Sequence, residues 1–189
     1  MSAPLQLPKS VVLVGMMGAG KTSVGRILAQ KLALPFVDAD AEIEAAAQST
    51  IEEIFARDGE AVFRSGERRV IARLLDGPVA VLATGGGAFM SEETRVHVRQ
   101  RGLSIWLRAD IELLLKRVAR RKDRPLLKTG DMRETLRRLL AEREPVYAEA
   151  DITVDSGEQS AEAVADKTFA ALRAHLDGAA PDLSRETGR

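Results

Sequence analysis

The sequence predicts an α/β fold, with a five-stranded parallel sheet covered by helices on both faces to give three layers. Short apolar, β-branched runs alternate along the chain with stretches whose apolar residues recur at helical spacing. A glycine-rich motif of the phosphate-binding type also lies between the first such run and the first helical stretch. Regular alternation of strands and helices is typical of parallel sheets, because each parallel crossover needs a connection long enough for a helix.

Each element is predicted by its own local signals. The predicted strands occupy residues 11–14, 35–38, 79–83, 103–107 and 152–154. The predicted helices occupy residues 22–34, a segment from about 41, a short helix after 50, then 60–75, 92–100, 111–120, 132–144 and 161–176. Ser49 and Thr50 stand three residues before Glu52 and Glu53, which is the pattern of a capping box, and Ser91 is the expected N-cap of the helix that follows it.

Composition limits the partners that this chain can have. Its 189 residues suit one domain, which we expect over residues 1–177, and residues 178–189 have the composition of a disordered tail. Lys plus Arg number 28, as do Asp plus Glu, so no overall field attracts nucleic acid or an anionic membrane. No apolar run approaches the ~18 residues of a spanning helix. The chain has no cysteine, which fits a reducing, cytoplasmic compartment.

Residues 15–22 form a complete phosphate-binding loop. They read Gly-Met-Met-Gly-Ala-Gly-Lys-Thr and fit the pattern G-x-x-x-x-G-K-[ST] without a mismatch. Glycines let backbone N–H groups curl around phosphate oxygens, and the helix after the loop points its positive end at the anion. Lys21 is expected to reach the β- and γ-phosphates, and Thr22 to offer its hydroxyl to Mg²⁺. The residues expected to contact ATP are Gly18, Ala19, Gly20, Lys21, Thr22 and Ser23.

The alternative for this motif, a glycine-rich turn that happens to precede a helix, is disfavoured because the strand, the helix and every key residue are present. A guanine-specific GTPase is also disfavoured, since its base-reading loop needs asparagine and the chain contains none. Many motor-type ATPases end a strand with an acid near Mg²⁺, but here the strand at 79–83 is followed by Thr84 and three glycines.

Two aspartates follow the second predicted strand and are candidates for the phosphate-transfer chemistry. The carboxyl ends of parallel strands meet at the ligand crevice, so both Asp38 and Asp40 are expected near the phosphate loop. Asp38 is a candidate for Mg²⁺, directly or through water. Its other interpretation is the N-cap of the helix that begins near residue 41, and the two roles are compatible.

Further ordered motifs follow the phosphate loop along the chain. They are Phe-Val-Asp-Ala-Asp at 36–40, Ile-Glu-Glu-Ile-Phe at 51–55, Gly-Glu-Ala-Val-Phe-Arg at 59–64 with Glu67, Gly-Gly-Gly-Ala at 85–88, Arg-Pro-Leu-Leu at 124–127 and Arg-Glu-Pro-Val-Tyr at 143–147. With these motifs the chain resembles the shikimate kinases from about residue 11 to about residue 176. The resemblance implies a nucleoside-monophosphate-kinase-like fold with strand order 2-3-1-4-5 and a mobile lid.

The same resemblance implies the reaction and its partners. The γ-phosphate of ATP would pass to the 3-hydroxyl of shikimate, a step of chorismate and aromatic amino acid biosynthesis, with Mg²⁺ as the metal cofactor. We expect a single P-loop kinase domain that acts as a monomer. We expect neither nucleic acid nor membrane among its partners.

Shikimate carries one carboxylate and three hydroxyls, and the resemblance assigns residues to both ends. Arg64 and Arg143 would clamp the carboxylate, since a guanidinium can donate two parallel bonds to it. Asp40 would align the attacking hydroxyl and act as a catalytic residue together with Lys21. Backbone N–H groups in the loop of Gly85, Gly86 and Gly87 would lie against the ring.

Each of these substrate-binding residues has a structural alternative. Arg64 could simply pair along its helix with Glu60 and Glu67, although Glu67 is also expected to orient Arg64 toward the substrate. Arg143 stands between two glutamates and could be a solvated surface charge. The three glycines could be a flexible linker.

A polar segment between two helices is interpreted as the lid, at about 119–131. By resemblance, Arg124 in this segment would contact the phosphates during transfer and is a candidate catalytic and nucleotide-binding residue. The alternative is an ordinary charged loop. Arg117, on the preceding helix, is a candidate for stacking on adenine. His97 and His175 have no ligand partners at useful spacing and receive no role.

Competing functions remain at this stage. A gluconate kinase would share the phosphate loop and also acts on a hydroxylated acid, but it would not be expected to carry this set of arginines and glycines. An adenylate-kinase-like activity would need a second base pocket, for which no signature is present. A non-catalytic ATP sensor is the remaining class, and the intact Lys21, Asp40 and Arg124 disfavour it.

Overall fold

The computed structural model describes residues 7–119 and 131–179. Its strands are β1 (Ser10–Val14), β2 (Phe36–Asp38), β3 (Val81–Ala83), β4 (Gly102–Arg108) and β5 (Ile152–Asp155). Its α-helices are α1 (Lys21–Leu32), α2 (Ala39–Ala47), α3 (Ile51–Asp76), α4 (Glu92–Arg101), α5 (Ile111–Val118), α6 (Met132–Tyr147) and α7 (Ala161–Ala179). A short 3-10 helix (Ala88–Met90) lies between β3 and α4.

The five strands of the described residues form one parallel sheet in the order β2-β3-β1-β4-β5, as predicted. The central strand β1 pairs with β3 on one side and with β4 on the other. All of its residues are buried. Because successive side chains of a strand point to opposite faces, helices must cover the sheet on both faces. The predicted three-layer α/β fold is therefore confirmed.

The loops that carry the expected site all follow the carboxyl ends of strands, on the same side of the sheet. The phosphate loop follows β1, Asp38 ends β2, and the three glycines follow β3. These strands are parallel neighbours, so their carboxyl ends lie side by side. A small apolar cluster of Ile43, Ile54 and Phe63 joins α2 to α3, outside the main core.

Local capping determines where several helices begin. Asp38 caps α2 through its side chain, which accepts from the N–H of Asp40, so α2 begins at residue 39 rather than near residue 41. Thr50 and Glu53 form the predicted capping box of α3, and Ser91 caps α4 as predicted. Helix α1 ends two residues earlier than predicted, because Ala33 adopts a left-handed backbone conformation.

Helix α3 combines the predicted short helix after residue 50 with the predicted helix 60–75. The two parts meet at Gly59, whose φ of 82° and ψ of 171° are not helical. The chain kinks there because glycine alone tolerates this conformation readily. The predicted division is therefore confirmed, as a kink rather than a loop.

Two helices run further than the sequence predicted. Helix α6 continues through Pro145 to Tyr147, although proline removes one helical hydrogen bond. Burial of the Tyr147 side chain offsets this loss. Helix α7 ends at Ala179, so the first two residues of the predicted tail are helical. Residues 180–189 and the predicted lid residues 120–130 lie outside the described part of the chain. None of the described helices is long and apolar enough to cross a membrane.

Candidate active site

The phosphate loop connects β1 to α1 in the predicted conformation. Gly15, Gly18 and Gly20 have φ values of 136°, 82° and 99°, which side-chain-bearing residues rarely adopt. Gly15 also leaves no room for a side chain, because a Cβ there would lie 2.7 Å from the carbonyl oxygen of Leu107. These glycines let the loop turn tightly before the N-terminus of α1, which is a ready anion site.

Lys21 is the first residue of α1 and folds back over the loop. Its Nζ donates to the carbonyl oxygens of Gly15 at 2.6 Å and Met16 at 2.9 Å. The residue is only 8% exposed. A cation held inside a loop of backbone N–H groups is an arrangement that attracts phosphate.

Thr22 and Asp38 are in direct contact beside this loop. The Thr22 hydroxyl donates to Oδ2 of Asp38 at 3.0 Å, while Oδ1 of Asp38 accepts from the N–H of Asp40 at 3.1 Å. The capping interpretation of Asp38 is therefore confirmed, and its second oxygen stays beside Thr22. A hydroxyl and a carboxylate are oxygen ligands that suit Mg²⁺, which usually takes one or two protein ligands together with phosphate and water.

A cavity of about 470 Å³ opens over the phosphate loop. It is lined by Lys21, Thr22, Asp38, Asp40 and Arg117, among others. Five of the six residues expected to contact ATP border it, namely Gly18, Gly20, Lys21, Thr22 and Ser23. We call it the nucleotide cavity, after the ligand that the sequence predicts for these residues.

Arg117 lines the nucleotide cavity. Its Nη1 donates to the carbonyl oxygens of Gly18 and Ala19 and to the Ser156 hydroxyl, each at 3.2 Å. Its Nη2 donates to the carbonyl oxygen of Gly157 at 3.2 Å. Arg117 thus joins the phosphate loop to the loop between β5 and α7. Its contact with adenine stays a prediction.

A second cavity of about 490 Å³ lies between the glycine loop and the α2–α3 unit. Its charged lining residues are Asp38, Asp40, Glu44, Glu52, Arg64, Glu67 and Arg143, and its apolar lining residues include Met17, Ile51, Phe55 and Phe63. Both predicted arginine clamps and all three glycines border it. We call it the acceptor cavity.

Arg64 makes both of the pairs that its spacing along the helix predicted. Its Nη1 donates to Oε2 of Glu67 at 2.8 Å, and its Nη2 lies 3.3 Å from Oε1 of Glu60. Glu67 is only 2% exposed, and this burial raises the pKa of its carboxyl against the opposing charge of Arg64. Glu67 therefore holds Arg64 at the wall of the acceptor cavity, as expected. Arg64 can pair with Glu60 and Glu67 along its helix and still border the cavity.

Arg143 is not a solvated surface charge. It is only 8% exposed, although it stands between two glutamates in the sequence. Within the described residues its Nη1 is buried without a hydrogen-bond partner, and so is Oε1 of Glu67. Buried polar atoms in proteins are nearly always hydrogen-bonded. A donor and an acceptor are thus left for a ligand in the acceptor cavity or for water.

The glycine loop is packed tightly, so the flexible-linker interpretation is wrong. A Cβ at Gly85 would lie 2.8 Å from Oδ1 of Asp40 and 3.0 Å from Oε1 of Glu67. A Cβ at Gly87 would lie 2.5 Å from Nη2 of Arg64. The absence of side chains here is what lets the charged groups approach the loop.

The two cavities meet at a shared wall. Thr22, Asp38, Asp40, Gly85 and Gly86 line both of them. A phosphate bound at the phosphate loop would therefore face a molecule in the acceptor cavity across the two aspartates. This is the arrangement that direct transfer between two bound molecules requires.

Comparison with known proteins identifies the family. The family model described as shikimate kinase matches residues 17–173. The chain belongs to the shikimate kinase family. It is 58% identical over 170 residues to a shikimate kinase of Bradyrhizobium diazoefficiens, which covers 90% of this chain and 82% of that protein. It is 57% identical over 178 residues to a shikimate kinase of Paramagnetospirillum magneticum, with 93% and 91% covered.

Solved structures agree with the family assignment. A shikimate kinase from Acinetobacter baumannii in complex with shikimate has a TM-score of 0.85 and 41% identity, covering 90% of this chain and 94% of that one. A gluconokinase from Sinorhizobium meliloti reaches a TM-score of 0.63 at 18% identity, with 93% and 97% covered, and this likeness shows the fold alone. The prediction of an ATP-dependent phosphotransferase of the shikimate kinase family is confirmed.

Two residues of this shikimate kinase family site were missed from the sequence. Tyr147 contacts the glycine loop, and Ser156 donates to the carbonyl oxygen of Ala19 at 2.8 Å. A buried tyrosine four residues after Arg143 was a signal that helix periodicity could have used. Ser156 gave no signal, because a single serine after a strand has no distinctive pattern. Arg124 lies outside the described residues, and its role stays a prediction.

Proposed function

We propose that this chain transfers the γ-phosphate of ATP to the 3-hydroxyl of shikimate at the wall shared by the two cavities. The observation that carries this proposal is the pairing of a phosphate-loop cavity with a cavity bordered by Arg64 and Arg143, joined at Asp38 and Asp40. Shikimate, a ring with one carboxylate and three hydroxyls, matches the charges of that second cavity.

In this proposal the acceptor cavity reads both ends of shikimate. Arg64 and Arg143 bind the carboxylate, which satisfies the buried Nη1 of Arg143. Asp40 accepts a hydrogen bond from the attacking hydroxyl and aligns its oxygen. Gly85, Gly86 and Gly87 allow the ring to lie against the backbone.

The nucleotide side supplies the phosphate and neutralises its charge. Backbone groups of Gly18, Ala19 and Gly20 and the side chain of Lys21 bind the phosphates of ATP, with Thr22 and Ser23 at the start of α1. Thr22 and Asp38, whose side-chain oxygens are in contact, would hold Mg²⁺. When bound, Mg²⁺ would offset negative charge on the transferred phosphoryl group.

Asp40 is proposed to do little more than align and receive a proton. The transition state of phosphoryl transfer is loose, so alignment and charge stabilisation matter more than a strong base. Asp40 therefore collects the hydroxyl proton late in the transfer. No histidine is needed in this mechanism.

The proposal is tested by ADP release measured with shikimate, with gluconate and with no acceptor. With ATP present in all three reactions, we expect ADP release above background only when shikimate is the acceptor. Asp40→Asn should lower kcat by about 10²-fold or more because alignment is lost, with little change in ATP affinity. Asp110→Asn is the matched control, because Asp110 caps α5 away from the shared wall and asparagine also caps well.

Three other outcomes would contradict the proposal. Faster turnover of gluconate than of shikimate would indicate a gluconate kinase. ATP binding without turnover of either acid would favour the sensor. Normal turnover in Asp40→Asn would reduce that residue to a structural role. A monomeric state and a cytoplasmic location stay predictions, which sedimentation and fractionation would check.

A further inference from the structure

Tyr147 is a buried polar group that the proposed mechanism does not use. It is the last residue of α6 and is fully buried, with its ring packed 5.9 Å from that of Trp106, centroid to centroid. A buried tyrosine normally places its hydroxyl on a specific partner. Here the hydroxyl donates to the carbonyl oxygen of Gly86, and it also lies 3.8 Å from Sδ of Met16 in the phosphate loop.

This hydrogen bond fixes a peptide of the glycine loop that the local backbone leaves free to turn. The carbonyl oxygens of Gly85 and Gly87 accept from the N–H groups of Ala88 and Met90 in the following 3-10 turn. The carbonyl of Gly86 instead accepts from Tyr147. Because a trans peptide is planar, fixing the Gly86 carbonyl also fixes the Gly87 N–H, which must point away from Tyr147.

The same helix face carries a substrate-binding arginine. Arg143 precedes Tyr147 by four residues, so the two side chains lie one above the other on α6. Gly86 faces both, since a Cβ built on it would lie 3.5 Å from Nη1 of Arg143. Tyr147 therefore joins the glycine loop to the helix that carries Arg143, on the two sides of the acceptor cavity.

We propose that Tyr147 is a positioning residue for the acceptor substrate. Its hydroxyl holds the Gly86–Gly87 peptide at a fixed distance from Arg143 before the substrate binds. Three consecutive glycines have unusual backbone freedom, and ordering them in advance lowers the entropic cost of binding. Burial raises the pKa of Tyr147 to about 12, so the hydroxyl stays a donor in neutral solution.

This inference rests on the proposed assignment of the acceptor cavity to shikimate. Tyr147→Phe removes only the hydroxyl and keeps the ring packed on Trp106. The KM for shikimate should rise about tenfold, roughly the factor expected from one buried hydrogen bond, while the KM for ATP stays within about twofold. Hydrogen exchange of a peptide spanning residues 85–90 should become faster without ligand.

Thr168→Val is the matched control. Thr168 is fully buried in α7 and lines neither cavity, and its hydroxyl donates to the carbonyl oxygen of Val164 at 2.7 Å. Val164 borders the nucleotide cavity and not the acceptor cavity. This variant should lower the Tm as a lost buried hydroxyl does, with both KM values unchanged.

The outcomes separate this inference from the proposed function. If the wild-type chain does not phosphorylate shikimate, the proposed function fails first. If it does, an unchanged shikimate KM in Tyr147→Phe overturns the positioning role. Equal rises in both KM values, or the same kinetic change in Thr168→Val, would overturn it as well, since either result would indicate a general loss of stability.

Discussion

Lys21 and Arg143 are cations that the fold buries almost completely, each only 8% exposed. Burying a charge costs free energy unless partners compensate for it. Lys21 finds carbonyl oxygens of its own loop, whereas one nitrogen of Arg143 has no hydrogen-bond partner in the part of the chain that the structure describes. At the residue scale, the site is therefore built from charges held ready for anions.

Removing either arginine should weaken shikimate binding without affecting ATP. Arg64→Ala and Arg143→Ala should each lower shikimate affinity by about 2–5 kcal/mol, the usual range for truncating one side of a buried charge pair. Calorimetry with each ligand alone would measure both affinities. Arg68→Ala and Arg138→Ala are controls on the same helices, because Arg68 is half-buried, Arg138 is exposed, and both pair with other glutamates outside the two cavities. Loss of ATP binding with shikimate binding retained would show that the two arginines serve the nucleotide and not shikimate.

The glycine loop gives a second prediction at this scale. Gly87→Ala should raise the KM for shikimate by about tenfold or more, because its Cβ would meet the guanidinium of Arg64 at 2.5 Å and displace it. Gly102→Ala is the control: its Cβ would meet Cγ2 of Val12 at 2.8 Å in the sheet, away from the cavities. That variant should lose stability and keep its KM. A normal shikimate KM in Gly87→Ala would show that the Arg64 side chain can move away from the added Cβ without weakening shikimate binding.

At the scale of elements, helix α3 carries the acceptor wall on both sides of its kink. Ile51, Glu52 and Phe55 precede Gly59, while Phe63, Arg64 and Glu67 follow it. The kink at Gly59 changes the direction of the helix axis between these two sets of side chains. The glycine is thus required by the backbone and not by packing, since a Cβ on it would meet nothing within 4 Å.

Two glycines of α3 should respond in opposite ways to the same substitution. Gly59→Ala should lower the free energy of unfolding by about 1–3 kcal/mol, because alanine is strained at a φ of 82°. Gly66→Ala should raise it by up to about 1 kcal/mol, since Gly66 lies inside the helix and a Cβ on it would meet nothing within 4 Å. Urea unfolding would measure both. Equal stabilities for the two variants would show that the kink is not needed.

At the scale of the whole molecule, the sheet order places three loops at one edge. Strands β2, β3 and β1 are neighbours, so Asp38, the glycine loop and the phosphate loop converge although they are far apart in the chain.

Burial of Glu67 beside these loops makes the stability of the whole fold depend on pH. Its pKa is raised by that burial, against the charge of Arg64.

The sign of this pH dependence follows from linkage. Glu67 holds its proton more tightly in the folded chain than in the unfolded chain, so it contributes stability at acidic pH. That contribution is lost as pH rises above the ordinary value of 4.5 and through the folded pKa. The free energy of unfolding of the wild type, minus that of Glu67→Gln, should therefore fall as pH rises from about the ordinary value of 4.5 through the raised pKa of the folded chain.

Glu53→Gln is a control with the opposite sign. Hydrogen bonds from the backbone and side chains of the capping box lower the pKa of Glu53. Its contribution is present above the unfolded pKa and lost as pH falls, so the corresponding difference should rise with pH. Urea titrations across the pH range would give both differences. A Glu67 difference that rises with pH would contradict the burial argument.

The sequence by itself determined the features that depend on neighbouring residues and the features carried by ordered motifs. The phosphate loop, the capping box of α3 and the break at Gly59 are local, because their conformations follow from residues within a few positions. The family and the strand order were also predicted, through motifs spread along the chain and their resemblance to shikimate kinases. The structure and the comparisons confirm both.

Only the tertiary structure decided how burial and distant contacts assemble the site. The local sequence around Arg143 left a surface charge as the alternative to the clamp that the resemblance implied, and packing against the glycine loop buries the residue. Tyr147 reaches Gly86 across 61 positions and Arg117 reaches Gly18 across 99, and neither pair leaves a local pattern. The wall shared by the two cavities likewise exists only after β2, β3 and β1 pair. The physical reason is that periodicity and spacing report which side of an element a residue occupies, whereas the partner it meets there depends on the packing of the whole chain.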